Sequence, residues 1–305
     1  MATNNFKPFA IASGANVISQ ADYEALSALA AGFQAGKASS AQINKAIRQS
    51  TVMAYVLAQF ISDSASVDVL DNGVPATILA NLKAGLTALT PGRLLNVQVF
   101  NASATYTRSA GATKGLVHVV GGGGGGGGAR STSSGYLAGG AGGGGGGFAS
   151  GLINLPSSQS VVVGAGGAGG ANTGDAGNGG TSSFGSISAT GGGAGASSRS
   201  DQSASGDIRQ QTGGWPGIGS GGNLINSYGG AGHNLLLSTS GNSCAGAGGL
   251  THYSGAPLGA VGTSGNGSAG AYGAGGSGAL SDSSPSASYS GGAGGNGLVI
   301  IWEYA

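Results

Sequence analysis

Apolar residues recur at helical spacing over the first ninety residues and cluster differently afterwards. Ser19 and Asp22 fit a capping box, in which the serine accepts an orphan N–H at a helix start. Leu26, Leu29, Ala30 and Phe33 follow at helical spacing, and Gly36 is placed to end that helix. Ser40 stands where a second helix would be capped, with Ile43, Ile47, Ala54, Leu57 and Ile61 roughly on one stripe. Asp71-Asn72-Gly73 marks a turn. Pro75 suits the first turn of a third helix carrying Ile78, Leu79, Leu82, Leu86 and Leu89, and Pro91-Gly92 stops it. These helices are alanine-rich and thin in large apolar residues. They predict a small monomeric bundle or, because so small a domain buries little surface, a region that self-associates or docks on another protein.

From residue 95 the pattern changes. Leu95, Val97 and Val99 alternate with polar positions, as do Val117 and Val119 around His118, so both stretches predict strands. His118 is then one side chain on a strand face rather than a ligand. Of the 69 glycines, 61 fall from Gly121 onwards, whereas all five lysines precede it. The chain is two materials joined near residues 90–120. The division predicts a helical region over 1–92, a β connector over 93–120 and a glycine-rich domain over 121–305.

A disordered linker would carry no repeated apolar anchors. This half has Phe148, Leu152-Ile153, Val161-Val162-Val163, Phe184, Ile187, Leu224-Ile225 and a final Leu298-Val299-Ile300-Ile301-Trp302 that needs burial. Collagen is excluded, because Gly121 to Gly128 is uninterrupted and later spacings are irregular. Glycine runs can form extended threefold helices whose backbone groups pair with neighbouring copies. The expected fold is therefore a small α-helical N-terminal region followed by packed polyglycine II-type helices bracketed by short β-strands. Ten glycine runs, each reversing direction, would sort the linkers to two ends. Linkers 148–163, 181–190, 223–228 and 250–264 contain Phe148, the triple valine, Phe184, Ile187, Leu224 and Ile225. Linkers 129–138, 171–176, 196–212, 233–245 and 279–290 hold every charged residue after Gly121 except Glu303. Leu235-Leu236-Leu237 is the exception among these polar linkers.

Charge and chemistry narrow the function. A formal net charge of +1 gives no electrostatic footprint for nucleic acid or an acidic substrate. The single cysteine, Cys244, makes neither a disulfide framework nor a Cys-based zinc site, and reads as a buried bystander thiol. The N-terminus lacks the basic and apolar stretches of a secretory signal, and no apolar run suits a membrane span. The many GxGxxG matches are uninformative without a strand-turn-helix context, and no GxxxxGK[ST] occurs. His233 and His252 are too isolated to argue a metal site, and no cofactor is implied.

MATNNFKPFA with SQADYEALSALAAGFQAGKASSAQINKAIRQS resembles the N-terminal region of tail fibre proteins from phages and prophages of enteric bacteria. YTRSAGATKGLVHVVGGGGGGGG, VVVGAGGAGG and GGAGGNGLVIIWEYA resemble the glycine-rich C-terminal domain of phage tail fibres and tail-tip adhesins. The resemblance implies a virion protein assembled in the host cytoplasm; such fibres are commonly homotrimers, whereas some separate tip adhesins are single copies. It would join other tail or baseplate proteins through residues 1–92 and adsorb to an outer-membrane protein or surface glycan. It carries over no catalytic residue.

Recognition is then expected in the polar linkers, from Arg130, Tyr136, Arg199, Asp201, Gln202, Asp207, Arg209, Gln210, His233, Asp282 and Tyr289. Trp215, beside Pro216, is expected to be a packing residue. The leading expectation is a non-enzymatic receptor-binding fibre without metal. A glycan-degrading tailspike would need two positioned carboxylates, for which Asp201 and Asp207 are the candidates. A connector fibre whose tip is another protein is also open. An ice-binding protein fits poorly, because the linkers are irregular.

Overall fold

A computed structural model describes residues 2–33, 39–198, 202–203, 209–238, 242–282 and 287–305. Gly36, Arg199, Asp201 and Asp207 lie outside the described residues, and of Gln202 only the backbone is described. The chain divides into two compact units, Met1–Pro91 and Gly92–Ala305.

The first unit holds α1 (Gln20–Glu24), α2 (Ala28–Ala31), α3 (Ser40–Ala65) and α4 (Pro75–Ala88). Ser19 caps α1 as expected, its Oγ accepting the Asp22 N–H at 3.1 Å. The single helix expected from there to Phe33 is instead two short ones. Neither buries a residue, so no tertiary contact repays continuing the helix through Ala25–Ser27. Ser40 is the first residue of α3 rather than its cap, and its hydroxyl accepts from the Asn16 amide at 3.0 Å. Pro75 sits in the first turn of α4. The core of this unit is small: Ala58, Ile61 and Val69, with Phe6, Ile78 and Leu82 against them. Ile43, Ile47, Met53, Val56, Leu57 and Phe60 remain exposed along α3. No helix among the described residues is long and apolar enough to cross a membrane.

The second unit contains β1 (Leu94–Phe100), β2 (Ala104–Thr107), β3 (Lys114–Val120), β4 (Tyr136–Gly139), β5 (Phe148–Asn154), β6 (Ser158–Val162), β7 (Ser182–Phe184), β8 (Ile187–Ala189), β9 (Gln202–Ser203), β10 (Arg209–Gln211), β11 (Gly219–Ser220), β12 (Ile225–Ser227), β13 (Leu235–Leu237), β14 (Leu280–Asp282) and β15 (Leu298–Tyr304). All pair antiparallel. The expectation of a domain of packed polyglycine II-type helices is corrected by this architecture. The region is sheet-rich, with its strands in four antiparallel sheets, and the helices of the described residues all precede residue 92. The physical reason lies in the apolar anchors. Alternating valines, isoleucines and aromatics bury side chains by pairing edge to edge, which glycine segments cannot do.

Two five-stranded sheets, ordered β1-β15-β3-β5-β12 and β11-β8-β7-β6-β2, face each other where the chain enters the unit. Between them lie Tyr106, Val117, Val119, Val161, Phe184, Ile187, Val299 and Ile301. The final apolar run therefore finds its burial as a strand flanked on both sides, with Ile300 opposite Val99 and His118. Glu303, also on β15, is fully buried. Its carboxylate accepts from the Tyr106 hydroxyl at 2.6 Å, the Ser109 N–H at 3.0 Å and the Gln98 amide at 3.2 Å, and from the Ser109 hydroxyl. Burial would raise its pKa, but the bonds from Ser109, Tyr106 and Gln98 outweigh that and hold it down to about 2.

The glycine runs are extended chain tied by backbone hydrogen bonds to their neighbours. Successive N–H groups of 121–128 reach three different segments: Gly121, Gly124 and Gly127 donate to Gly147, Gly144 and Ala141; Gly122 and Gly125 to Gly180 and Gly177; Gly123 and Gly126 to Gly295 and Gly292. Its carbonyls accept from three more, through Gly167, Gly192 and Gly276 among others. Segment 139–147 is enclosed in the same way, accepting from Gly214, Gly217, Gly246 and Gly249. These two segments, with the longest unbroken glycine runs, are the interior. A Cβ on Gly124 would lie 2.0 Å from the Gly193 oxygen, and one on Gly144 2.0 Å from the Trp215 oxygen. On peripheral segments an outward Ala, Ser or Asn is tolerated, as at Ala165, Ala168, Ala293 and Asn296.

The expected ten segments undercount the reversals. Linker 250–264 contains one, because Pro257 and Ala260 run back along Gly248 and Ala245. Run 265–278 contains another at Tyr272-Gly273, both at positive φ, so that Ser277 donates back to Ser268.

Candidate functional site

At the end of the glycine segments away from the paired sheets, the remaining strands form two small sheets. They are ordered β14-β4-β9 and β10-β13. Leu137, Ala141, Leu235, Leu237, Ala245 and Leu280 form a separate buried core beneath them. This explains the apolar triplet in an otherwise polar linker: Leu235 and Leu237 face inward, and Leu236 is partly exposed. The linkers are stitched together here. Ala129 and Tyr289 bridge, Asp282 N–H donates to Ser264 Oγ at 2.9 Å, and Ser197 Oγ accepts from Gly128 at 2.9 Å while donating to Gly174 at 2.7 Å.

The expected site residues fall on this frame as follows. Tyr136 begins β4 and is exposed; its neighbour Leu137 pairs with Gln202 on one side and Asp282 on the other. Arg130 and Tyr289 adjoin the Ala129–Tyr289 bridge, and both are half-buried, as is Asp282. Arg209 and Gln210 are exposed on β10, opposite Leu237 and Leu236. His233 is exposed two residues before β13 and holds Gly142 and Ala247 through its backbone. The described members thus share one end, drawn together by a leucine cluster whose parts come from residues 137, 235–237 and 280.

Four features escaped sequence reasoning. His252 is not isolated: it stacks on Phe148 at 4.0 Å, with its ring centroid 6.1 Å from that of His118, in a cluster with Tyr253 and Trp302. Burial, then the neighbouring His252, lowers the His118 pKa. Cys244 is half-buried rather than buried, and its backbone pairs with Leu236 and Val261. Trp215 packs against Gly193 as a segment-end residue would, but it leaves 67% of its surface exposed. The fourth is the outer face of the β1-β15-β3-β5-β12 sheet. The register places Val97, Trp302, Leu116 and Leu152 in one row and Val99, Ile300, His118, Ser150 and Ile225 in the next. Val97, Val99, Leu152 and Ile225 are exposed there, an apolar sheet face of the kind that marks an interaction surface. Alternation in β1 was visible in the sequence, but which face stays open depends on the sheet order.

A family model described as a glycine-rich domain matches residues 98–304, from within β1 to the penultimate residue of the chain. The chain belongs to this glycine-rich domain family. No curated protein matches it.

Proposed function

We propose that this chain is a bacteriophage tail fibre protein or tail-tip adhesin that binds a host-surface receptor, an outer-membrane protein or a glycan, without catalysing a reaction. The observation that carries the reading is the gathering of linkers from five parts of the chain at one end, over a core of their own. Loops displayed on a rigid scaffold are the usual carriers of binding. The sequence resemblance of both halves to tail fibres supplies the biological setting, with residues 1–92 joining other tail or baseplate proteins. The exposed apolar residues of α3 and the open sheet face favour self-association, because such surfaces are stabilised when copies cover them, and the resemblance to tail fibres makes that a homotrimer.

The test is adsorption of the purified full chain to a panel of enteric bacteria. The double variant Tyr136→Ala and Gln210→Ala removes exposed side chains only, so its thermal unfolding should match the parent. Its adsorption is expected to fall about tenfold or more, the loss of one or two binding hot spots. Parental adsorption by the variant would refute the placement of the site.

A further inference from the structure

Beside the loop-bearing end runs a groove of about 380 Å3, lined by Asp175, Ala176, the 194–196 backbone, Thr212, Gly213 and Trp215. That is within the ~300–1,000 Å3 of small-ligand sites. Two walls, Asp175 and Thr212, belong to linkers that converge on the candidate site. The third is the exposed indole of Trp215. Gly193 lies against this ring: a Cβ there would sit 2.7 Å from it. The glycine lets the indole lie against the backbone while most of its surface faces solvent.

Four main-chain donors along the groove are already engaged. The N–H of Ala194 goes to Asn178 Oδ1 at 2.8 Å and that of Gly213 to Asn234 Oδ1 at 2.9 Å. Gly195 donates to Gly125 and Ala196 to Thr212. These main-chain donors are engaged within the protein, so they neither cradle an anion nor receive an added peptide strand. What the groove presents is a carboxylate, a hydroxyl that donates or accepts, and an aromatic surface with its indole N–H. A carboxylate has about four acceptor sites, so Asp175 takes ligand hydroxyls alongside its bonds within the protein. The complementary ligand donates hydrogen bonds from several hydroxyls and offers an apolar C–H face to the indole.

We propose that the Trp215 groove binds a saccharide unit of a cell-surface glycan. One face of the sugar ring lies on the indole, and its hydroxyls donate to Asp175 and Thr212. The aromatic quadrupole, negative on the ring face, favours that contact, and the charged acceptor strengthens the bonds. This inference rests on the adhesin reading and names its receptor class.

The experiment titrates the full chain with methyl glycosides and with deacylated lipopolysaccharide oligosaccharides from a strain to which the chain adsorbs. Indole fluorescence and calorimetry are followed together. A saturable change is expected with at least one of these saccharides. Trp215→Ala should weaken binding at least tenfold and abolish the fluorescence change. Trp215→Phe should retain part of the affinity, and Asp175→Asn should lose several-fold. If no saccharide gives a signal up to about 10 mM while the chain still adsorbs to cells, the glycan inference is overturned and the adhesin reading stands. If the chain adsorbs to no cell, both are overturned. Parental saccharide binding by both Trp215→Ala and Asp175→Asn would overturn the placement.

Discussion

Gly124→Ala is expected to prevent the second unit from folding, or to destabilise it by about 4 kcal/mol or more, in the exceptional range for a single substitution. One added methyl ordinarily costs ~1–3 kcal/mol in a packed core, because side chains yield. Here nothing nearby is a side chain. The new Cβ would lie 2.0 Å from the Gly193 oxygen and 2.5 Å from its carbonyl carbon. That oxygen already accepts the Gly144 N–H at 2.8 Å, and Gly193 itself donates to Trp215 at 2.8 Å. Moving it aside breaks bonds in the second interior segment as well. Gly255→Ala is the matched control, since its Cβ meets nothing within 4 Å and its φ is unstrained. That variant should stay within about 0.5 kcal/mol of the parent. Chemical denaturation followed by circular dichroism compares the two. A Gly124→Ala protein within ~1 kcal/mol of the parent would mean that the interior segments have slack the structure does not show.

Glu303→Ala is expected to cost about 3–5 kcal/mol, the usual result of removing one partner from a buried charged network. It strands the Tyr106 hydroxyl, the Ser109 N–H and hydroxyl, and the Gln98 amide, all now directed at the carboxylate. It also loosens the last strand from the 104–109 segment, which are held together across the core by this group. Glu303→Gln keeps the volume but offers one acceptor oxygen, and should cost less than the alanine variant. The same group predicts a pH dependence. Its folded pKa of about 2 lies below the ordinary value of 4.5. The carboxylate therefore contributes stability that is complete above the ordinary value and is lost as pH falls from about 4.5 towards 2. The size of the shift corresponds to roughly 3 kcal/mol. Unfolding free energies measured across that window should show the loss in the parent and a flatter profile in Glu303→Gln. Equal slopes would place the acid sensitivity elsewhere.

Several elements were legible because local chemistry decides them. Ser19 with Asp22 marks a helix start whatever surrounds it, and Pro75 and Pro91-Gly92 bracket α4. The alternation of Leu95, Val97 and Val99 and of Val117 and Val119 specifies β1 and β3, and the closing apolar run had to be buried. Gly36 and the acids Asp201 and Asp207 lie outside the described residues. Reading the glycine half as helices went wrong because its repeats dominate the composition while sparse anchors dominate the pairing.

By itself, then, the sequence determined which short stretches prefer helix or strand, and that the glycine half carries anchors enough to fold. Those outcomes depend on neighbours a few residues apart. Only the tertiary structure decided the rest, because each remaining feature joins distant residues. Leu235 and Leu237 looked misplaced until Leu137 and Leu280 came to cover them. The reversal at Tyr272 uses a left-handed backbone conformation with no glycine at that position to announce it. Trp215 became an exposed wall because Gly193, on another segment, leaves room for its ring. Glu303 is a charge in a run of hydrophobes until Tyr106 and Ser109, nearly two hundred residues earlier, surround it with donors.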